Sequence, residues 1–131
     1  MTYLPDLITL LTVAVLFGCG VAVGRARGLY KIVAPATTGH PDFERVFRVQ
    51  MNTLESIVMF LPALWIAAHY STNMLVVGGA GMLWVVARIW YAIAYAIDAN
   101  KRGLGFGISI LATTVLWVTG AKGVVMAMMA G

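Results

Sequence analysis

Apolar residues run along this chain in four long blocks separated by short polar stretches. The blocks span about Leu7 to Val23, Phe43 to His69, Met74 to Ile97 and Leu104 to Met129. Each is close to or above the roughly 20 residues that a helix needs to cross a bilayer. The chain lacks the strand-type alternation of a β-barrel, so the pattern predicts four membrane-spanning helices in one domain. His69 to Asn73 and Asp98 to Gly103 are short connections. Gly24 to Asp42 reads as the one long loop, broken by Pro35, Gly39 and Pro41.

Composition supports the same picture. The chain has 131 residues, of which 61% are hydrophobic and 11% charged, and its mean hydropathy is +0.89. Soluble domains carry about 25% charged residues. The expected class is therefore an all-α integral membrane four-helix bundle spanning residues 1–131. The first block has no positive start and is preceded by Asp6, so it reads as a span and not as a signal peptide. Arg25, Arg27, Lys31, Arg45 and Arg48 cluster around the first connection, and Lys101 and Arg102 lie in the third. The second connection has no Lys or Arg, so the positive-inside rule puts both termini away from the cytoplasm. This bias accounts for most of the formal charge of +4, and no nucleic-acid partner follows from it. Cys19 is the only cysteine, which excludes an intrachain disulfide. His40 and His69 lie in connections on opposite sides, so no metal site is expected.

Polar residues inside the blocks carry the chemistry. Glu44, Arg48, Asn52 and Glu55 fall within an arc of roughly 80° on the second helix. Arg88, Tyr91, Tyr95, Asp98 and Arg102 fall within a similar arc if the third helix is continued. Charges in a bilayer need partners or ligands. Arg88 is deep enough to need a carboxylate, either Glu55 or Glu44, and Arg88 with Glu44 is taken as a structural ion pair. Several arginines with a carboxylate and an amide suit a small zwitterion bearing more than one carboxylate. Glutathione has two carboxylates, an ammonium, two amides and a thiol. An arginine beside that thiol would favour the thiolate.

The run Thr37-Thr38-Gly39-His40-Pro41-Asp42-Phe43-Glu44-Arg45-Val46-Phe47-Arg48-Val49-Gln50-Met51-Asn52, followed by Glu55, resembles the opening of the second helix of the MAPEG proteins (membrane-associated proteins in eicosanoid and glutathione metabolism). Arg88-Ile89-Trp90-Tyr91-Ala92-Ile93-Ala94-Tyr95 with Lys101-Arg102 is similar to that family's third helix. The resemblance implies a homotrimer in a bacterial inner membrane, with glutathione bound between neighbouring subunits. By motif, Arg48, Asn52, Glu55, Tyr91 and Tyr95 would bind glutathione and Arg102 would activate its sulfur. Gln50 would be a contact from the adjacent subunit, and Arg27 would reach the glycyl carboxylate. The chain departs from relatives at Gly28, Thr53, Ser56 and Val58.

The resemblance implies a glutathione transferase, with a glutathione-dependent peroxidase as a companion reading. Its second substrate would be a lipophilic electrophile or lipid hydroperoxide arriving from membrane lipid. The competing readings are a non-catalytic lipid-binding scaffold, as the five-lipoxygenase-activating protein is within this family, and a purely structural bundle. Gly20 and Gly24 form a GxxxG pattern suited to close helix approach. Trp65, Trp84, Trp90 and Trp117 are read as interfacial belt residues or groove walls.

Overall fold

A computed structural model describes residues 2–71 and 73–131. Helix α1 spans Leu4–Tyr30, α2 Pro41–Tyr70, α3 Met74–Ile97 and α4 Gly103–Ala130, with a single 3-10 turn at Ala99–Lys101 before α4. All four helices are long and apolar enough to cross a membrane. Helices α2 and α3 form the middle of the bundle, each packing on the other and on both α1 and α4.

Local chemistry sets the helix ends. His40 caps α2 by accepting the Asp42 N–H on Nδ1 at 3.1 Å, and Pro41 follows at the first helical position. The Asn73 side chain accepts from the N–H groups of Leu75 and Val76 and starts α3. Lys31 closes α1 in the left-handed conformation, at φ 57°.

One connection differs from expectation. The stretch from Gly24 onward is not loop, because α1 continues to Tyr30. Val23 and Ala26 are buried against Phe43 of α2, which gives the last turns of α1 an apolar face to cover. Tertiary packing of this kind outweighs the weak helix propensity of Gly24 and Gly28. The true connection is therefore short and tightly held. Tyr30 stacks on His40 with ring centres 4.1 Å apart, and Glu44 of α2 accepts the Gly39 N–H.

The core centres on Phe60 of α2 and Trp84 of α3, which stack with centroids 4.0 Å apart and planes 4° from parallel. Ile8, Leu64, Ala112 and Leu116 surround them. Trp84 is thus a core residue, neither an interfacial belt residue nor a groove wall. The outer surface is apolar: Leu10, Phe17, Leu75, Ile93 and Trp117 are all exposed, as a lipid-facing surface requires.

Within the protomer, small residues set the helix spacing away from the GxxxG pattern. Gly24 faces open space and Gly20 meets only the Gln50 side chain. The close contacts lie elsewhere. A Cβ at Gly81 would fall 2.6 Å from Ile8 Cδ1, and one at Gly105 would fall 2.9 Å from the Tyr91 backbone nitrogen and 3.0 Å from the Ala87 carbonyl oxygen. Gly105 thereby lets the start of α4 lie against the α3 backbone that carries Tyr91. Because the obstructing atoms are backbone, Gly105→Ala should destabilise the fold by about 1–3 kcal/mol. Gly107→Ala, with open space around it, should melt like the parent protein. Thermal unfolding in detergent compares the two variants.

Candidate functional site

One stripe of α2 carries the polar residues. Arg48, Met51, Asn52 and Glu55 from α2 join Tyr91 and Tyr95 from α3 and Arg102 from the turn before α4 to line a cleft of about 230 Å³. A second cavity of about 520 Å³ shares Asn52, Tyr91 and Arg102 and adds Asn100, Gly103 and Phe106. These three residues form the wall between the two spaces.

The helix ladder explains part of this assembly. Arg48, Asn52 and Glu55 are spaced by four and three residues, and so are neighbours on one face. Tyr91 and Tyr95 are four apart, with rings 5.6 Å apart and edge to face. Arg102 arrives by a different route from the continued helix that its spacing suggested. Helix α3 stops at Ile97, Asp98 is extended, and its carboxylate accepts the Asn100 N–H at 3.0 Å to start the 3-10 turn. Arg102 then lies at the head of α4. It donates to the Ala99 carbonyl at 2.7 Å, and its guanidinium carbon lies 5.5 Å from the Tyr95 ring centre.

The cleft is cationic. It holds two guanidinium groups and one carboxylate. Among the described residues the only ion pair is Arg45 with Asp42, so Arg48, Glu55 and Arg102 are not neutralised by one another. Such a set can pair a carboxylate on a ligand through Arg48, accept from an ammonium at Glu55 and stabilise a further negative charge at Arg102. The tyrosine hydroxyls can donate or accept.

Arg88 does not form the ion pair expected of it. It is fully buried. Its Nη2 donates to Asn52 Oδ1 at 2.8 Å and to Thr53 Oγ1 at 3.1 Å, and its Nη1 donates to Ser109 Oγ at 3.4 Å. Its guanidinium carbon lies 4.1 Å from the Tyr91 ring centre. Glu44 is engaged elsewhere, accepting the Gly39 N–H at 3.2 Å and so holding the α1–α2 connection. The reason is reach. Glu44 lies near the head of α2, whereas Arg88 is level with Asn52, two turns further along.

Two further expected ligands lie outside the cleft. Arg27 donates to the Ala36 carbonyl at 2.8 Å and sits 5.1 Å from the Phe43 ring centre, so within one protomer it holds the loop. Gln50 faces α1, where it lines a separate groove with Val13, Leu16, Phe17, Gly20 and Val21. The departures at Ser56 and Thr53 are both buried inside the bundle, away from the cleft wall. Asn100, Phe106 and Met51 join the lining although they were not singled out in the sequence. The turn before Arg102 was the signal for Asn100, while Phe106 and Met51 look like ordinary lipid-facing residues.

The MAPEG family profile matches residues 6–122. The chain belongs to the MAPEG family. Its similar relatives include the uncharacterized protein sll1147 of Synechocystis sp., 44% identical over 114 residues that cover 87% of this chain and 82% of that protein. Human microsomal glutathione S-transferase 2 is 37% identical over 122 residues, covering 89% of this chain and 82% of its own. Leukotriene C4 synthase of Cavia porcellus is 37% identical over 98 residues, covering 72% and 63%. This MAPEG protein is thus an integral membrane four-helix bundle whose polar cleft is built from the two segments that carry the family resemblance.

The position of Arg27 predicts a local effect. Arg27→Ala should loosen residues 31–40 without unfolding the bundle. Limited proteolysis should cut this connection several-fold faster in the variant, with an unchanged melting midpoint.

Proposed function

We propose that this protein is a membrane glutathione transferase acting on lipophilic electrophiles. The observation that carries the reading is the convergence of Arg48, Asn52, Glu55, Tyr91, Tyr95 and Arg102 on one cleft. The names of the relatives, microsomal glutathione S-transferase 2 and leukotriene C4 synthase, support a glutathione-using enzyme.

The arrangement suits two substrates of opposite character. The α2 stripe that holds Arg48 and Glu55 continues through Val58, Met59, Pro62 and Ile66, which with Thr113, Thr114 and Trp117 of α4 line an apolar groove of about 480 Å³. The stripe is therefore polar at the Arg48 end and apolar beyond Glu55. Arg48, Glu55 and Asn52 hold the tripeptide by its charged and amide groups. Glutathione supplies the sulfur nucleophile. Arg102 lies beside that sulfur and stabilises its negative charge, and the adjoining apolar surface excludes water and strengthens the interaction. In the transfer a carbon–sulfur bond forms, the electrophile's leaving group departs with its bonding pair, and the thiol proton passes to solvent. With a lipid hydroperoxide, the same activated sulfur would cleave the O–O bond, a second glutathione completing the disulfide.

The site is read as shared between copies in a homotrimer, with Gln50 contributed from the neighbour and Arg27 reaching the glycyl carboxylate. Gln50 faces away from Arg48 and Glu55 in its own protomer, and this motivates the assignment. The basic connections are read as cytoplasmic and both termini as lying on the other side.

Two experiments test the reading. Purified protein is assayed with glutathione and an electrophilic aromatic halide. Arg102→Ala should lower kcat about 100- to 1,000-fold, the usual cost of losing one donor to developing charge, while glutathione affinity by calorimetry changes little. Equal rates for the two proteins would remove Arg102 from the chemistry, and no binding of glutathione at millimolar concentration would favour the lipid-binding scaffold. For the shared site, inactive Arg48→Ala and Gln50→Ala chains are coexpressed. Mixed assemblies should recover activity that neither variant has alone, and no recovery would place both residues in one protomer's function.

A further inference from the structure

Arg88 is unusual in the number of site residues it touches without lining the site. It is absent from the cleft wall, is fully buried, and has only neutral acceptors. A guanidinium has donors and no acceptor, so each oxygen it meets is forced to accept. Ser109 shows the consequence. Its hydroxyl donates to the Phe106 carbonyl at 2.7 Å, which leaves a lone pair for Arg88. Thr53 accepts in the same way. Asn52 is the third partner, and it is the one that lines both cavities.

Asn52 has two chemically opposite ends, a carbonyl that accepts and an amide nitrogen that donates. The 2.8 Å bond from Arg88 commits the carbonyl to the bundle interior. The amide nitrogen is then the end left for a ligand. The same guanidinium lies against the Tyr91 ring, so the two cleft residues from α2 and α3 are fixed by one cation. A buried arginine in a membrane bundle is costly, and packing alone would be served by an apolar side chain of similar size.

We infer that Arg88 is a positioning residue: it locks the Asn52 carboxamide with its N–H groups toward the cleft and holds Tyr91 beside it, so that the site offers a donor to a carboxylate or peptide carbonyl of the tripeptide. This rests on the glutathione reading of the same cleft and adds the polarity of one contact and the group that sets it.

Two measurements test the assignment. Arg88→Lys keeps the charge but cannot bridge Asn52, Thr53 and Ser109 together. Its KM for glutathione should rise at least 10-fold, while the KM for the electrophile stays near the parent value. A variant that melts like the parent and keeps the parent glutathione KM would overturn the proposal, even though the parent enzyme still conjugates glutathione. A parent protein that neither binds nor conjugates glutathione would instead defeat the functional reading. The second measurement needs no variant to fold at full activity. The chain has asparagine only at positions 52, 73 and 100, so ¹⁵N-asparagine labelling gives few side-chain amide signals. The Asn52 pair should shift on addition of glutathione, and in Arg88→Lys it should broaden or shift before any ligand is added. An Asn52 signal unmoved at saturating glutathione would show that the amide end does not face the ligand.

Discussion

A charge placed inside a bilayer must find a partner, and in this bundle that requirement organises the site. Arg88 lies about 14 Å along α3 from its end at Ile97, by the helical rise per residue. It meets the demand with oxygens drawn from α2 and α4, namely Asn52, Thr53 and Ser109. One side chain thereby ties three helices at the level where the cleft opens. The tie is possible because Gly105 brings the head of α4 against α3. A larger residue there would push Ser109 and Phe106 away together. Helix spacing, the buried cation and the cleft wall are therefore one problem with one solution.

The cleft and the groove next to it are consecutive parts of the same α2 face. Toward the charged end of the bundle that face presents Arg48, Asn52 and Glu55; further into the membrane it presents Val58, Met59, Pro62 and Ile66. Depth in the bilayer and polarity of the lining thus change together. A polar ligand anchored at one end would have its reactive group near the boundary, where an apolar partner could meet it. Arg102 stands in the polar part of this lining, on the turn between α3 and α4. Its guanidinium is steadied by the Ala99 carbonyl and the Tyr95 ring, and among the described residues no carboxylate forms an ion pair with it.

The four spans were legible because their apolar blocks were long and polar stretches separated them. The end of α1 was not. Gly24 and Gly28 look like loop residues, and only the packing of Val23 and Ala26 on Phe43 makes that stretch helical. The site residues at spacings of three and four were legible for the same reason that helical faces are. Arg102 was found by motif, but its helical arc was the wrong geometry, since an extended Asp98 and a 3-10 turn intervene. The partner of Arg88 was misread because electrostatics suggested a carboxylate. The structure satisfies that cation with neutral oxygens, and nothing in the sequence marks two of them, Thr53 and Ser109, as its partners. Close approach at Gly105 was hidden too, because glycine is frequent in this chain and only contact distances separate a packing glycine from an idle one.

The exposed charges of the cleft supply a last argument. Glu55 lies about 21 Å along α2 from Pro41 by the helical rise, and in the protomer it is exposed, with no ion-pair partner among the described residues. Arg48 is long enough to reach toward the headgroups, but a glutamate at that depth is not. An unpaired charge facing lipid costs about 3 kcal/mol even on the lenient scales. A cleft of about 230 Å³ is also smaller than the roughly 300 Å³ at which ligand pockets begin. The cost and the small volume have the same remedy, which is another surface laid over this face of α2. The groove around Gln50 offers such a surface on the same chain, with a polar tip set among Leu16, Phe17 and Val21. A second copy presenting that face would cover Glu55, enlarge the enclosed space and add an amide to it, so the energetics of one exposed carboxylate argue for a covering surface independently of the family resemblance.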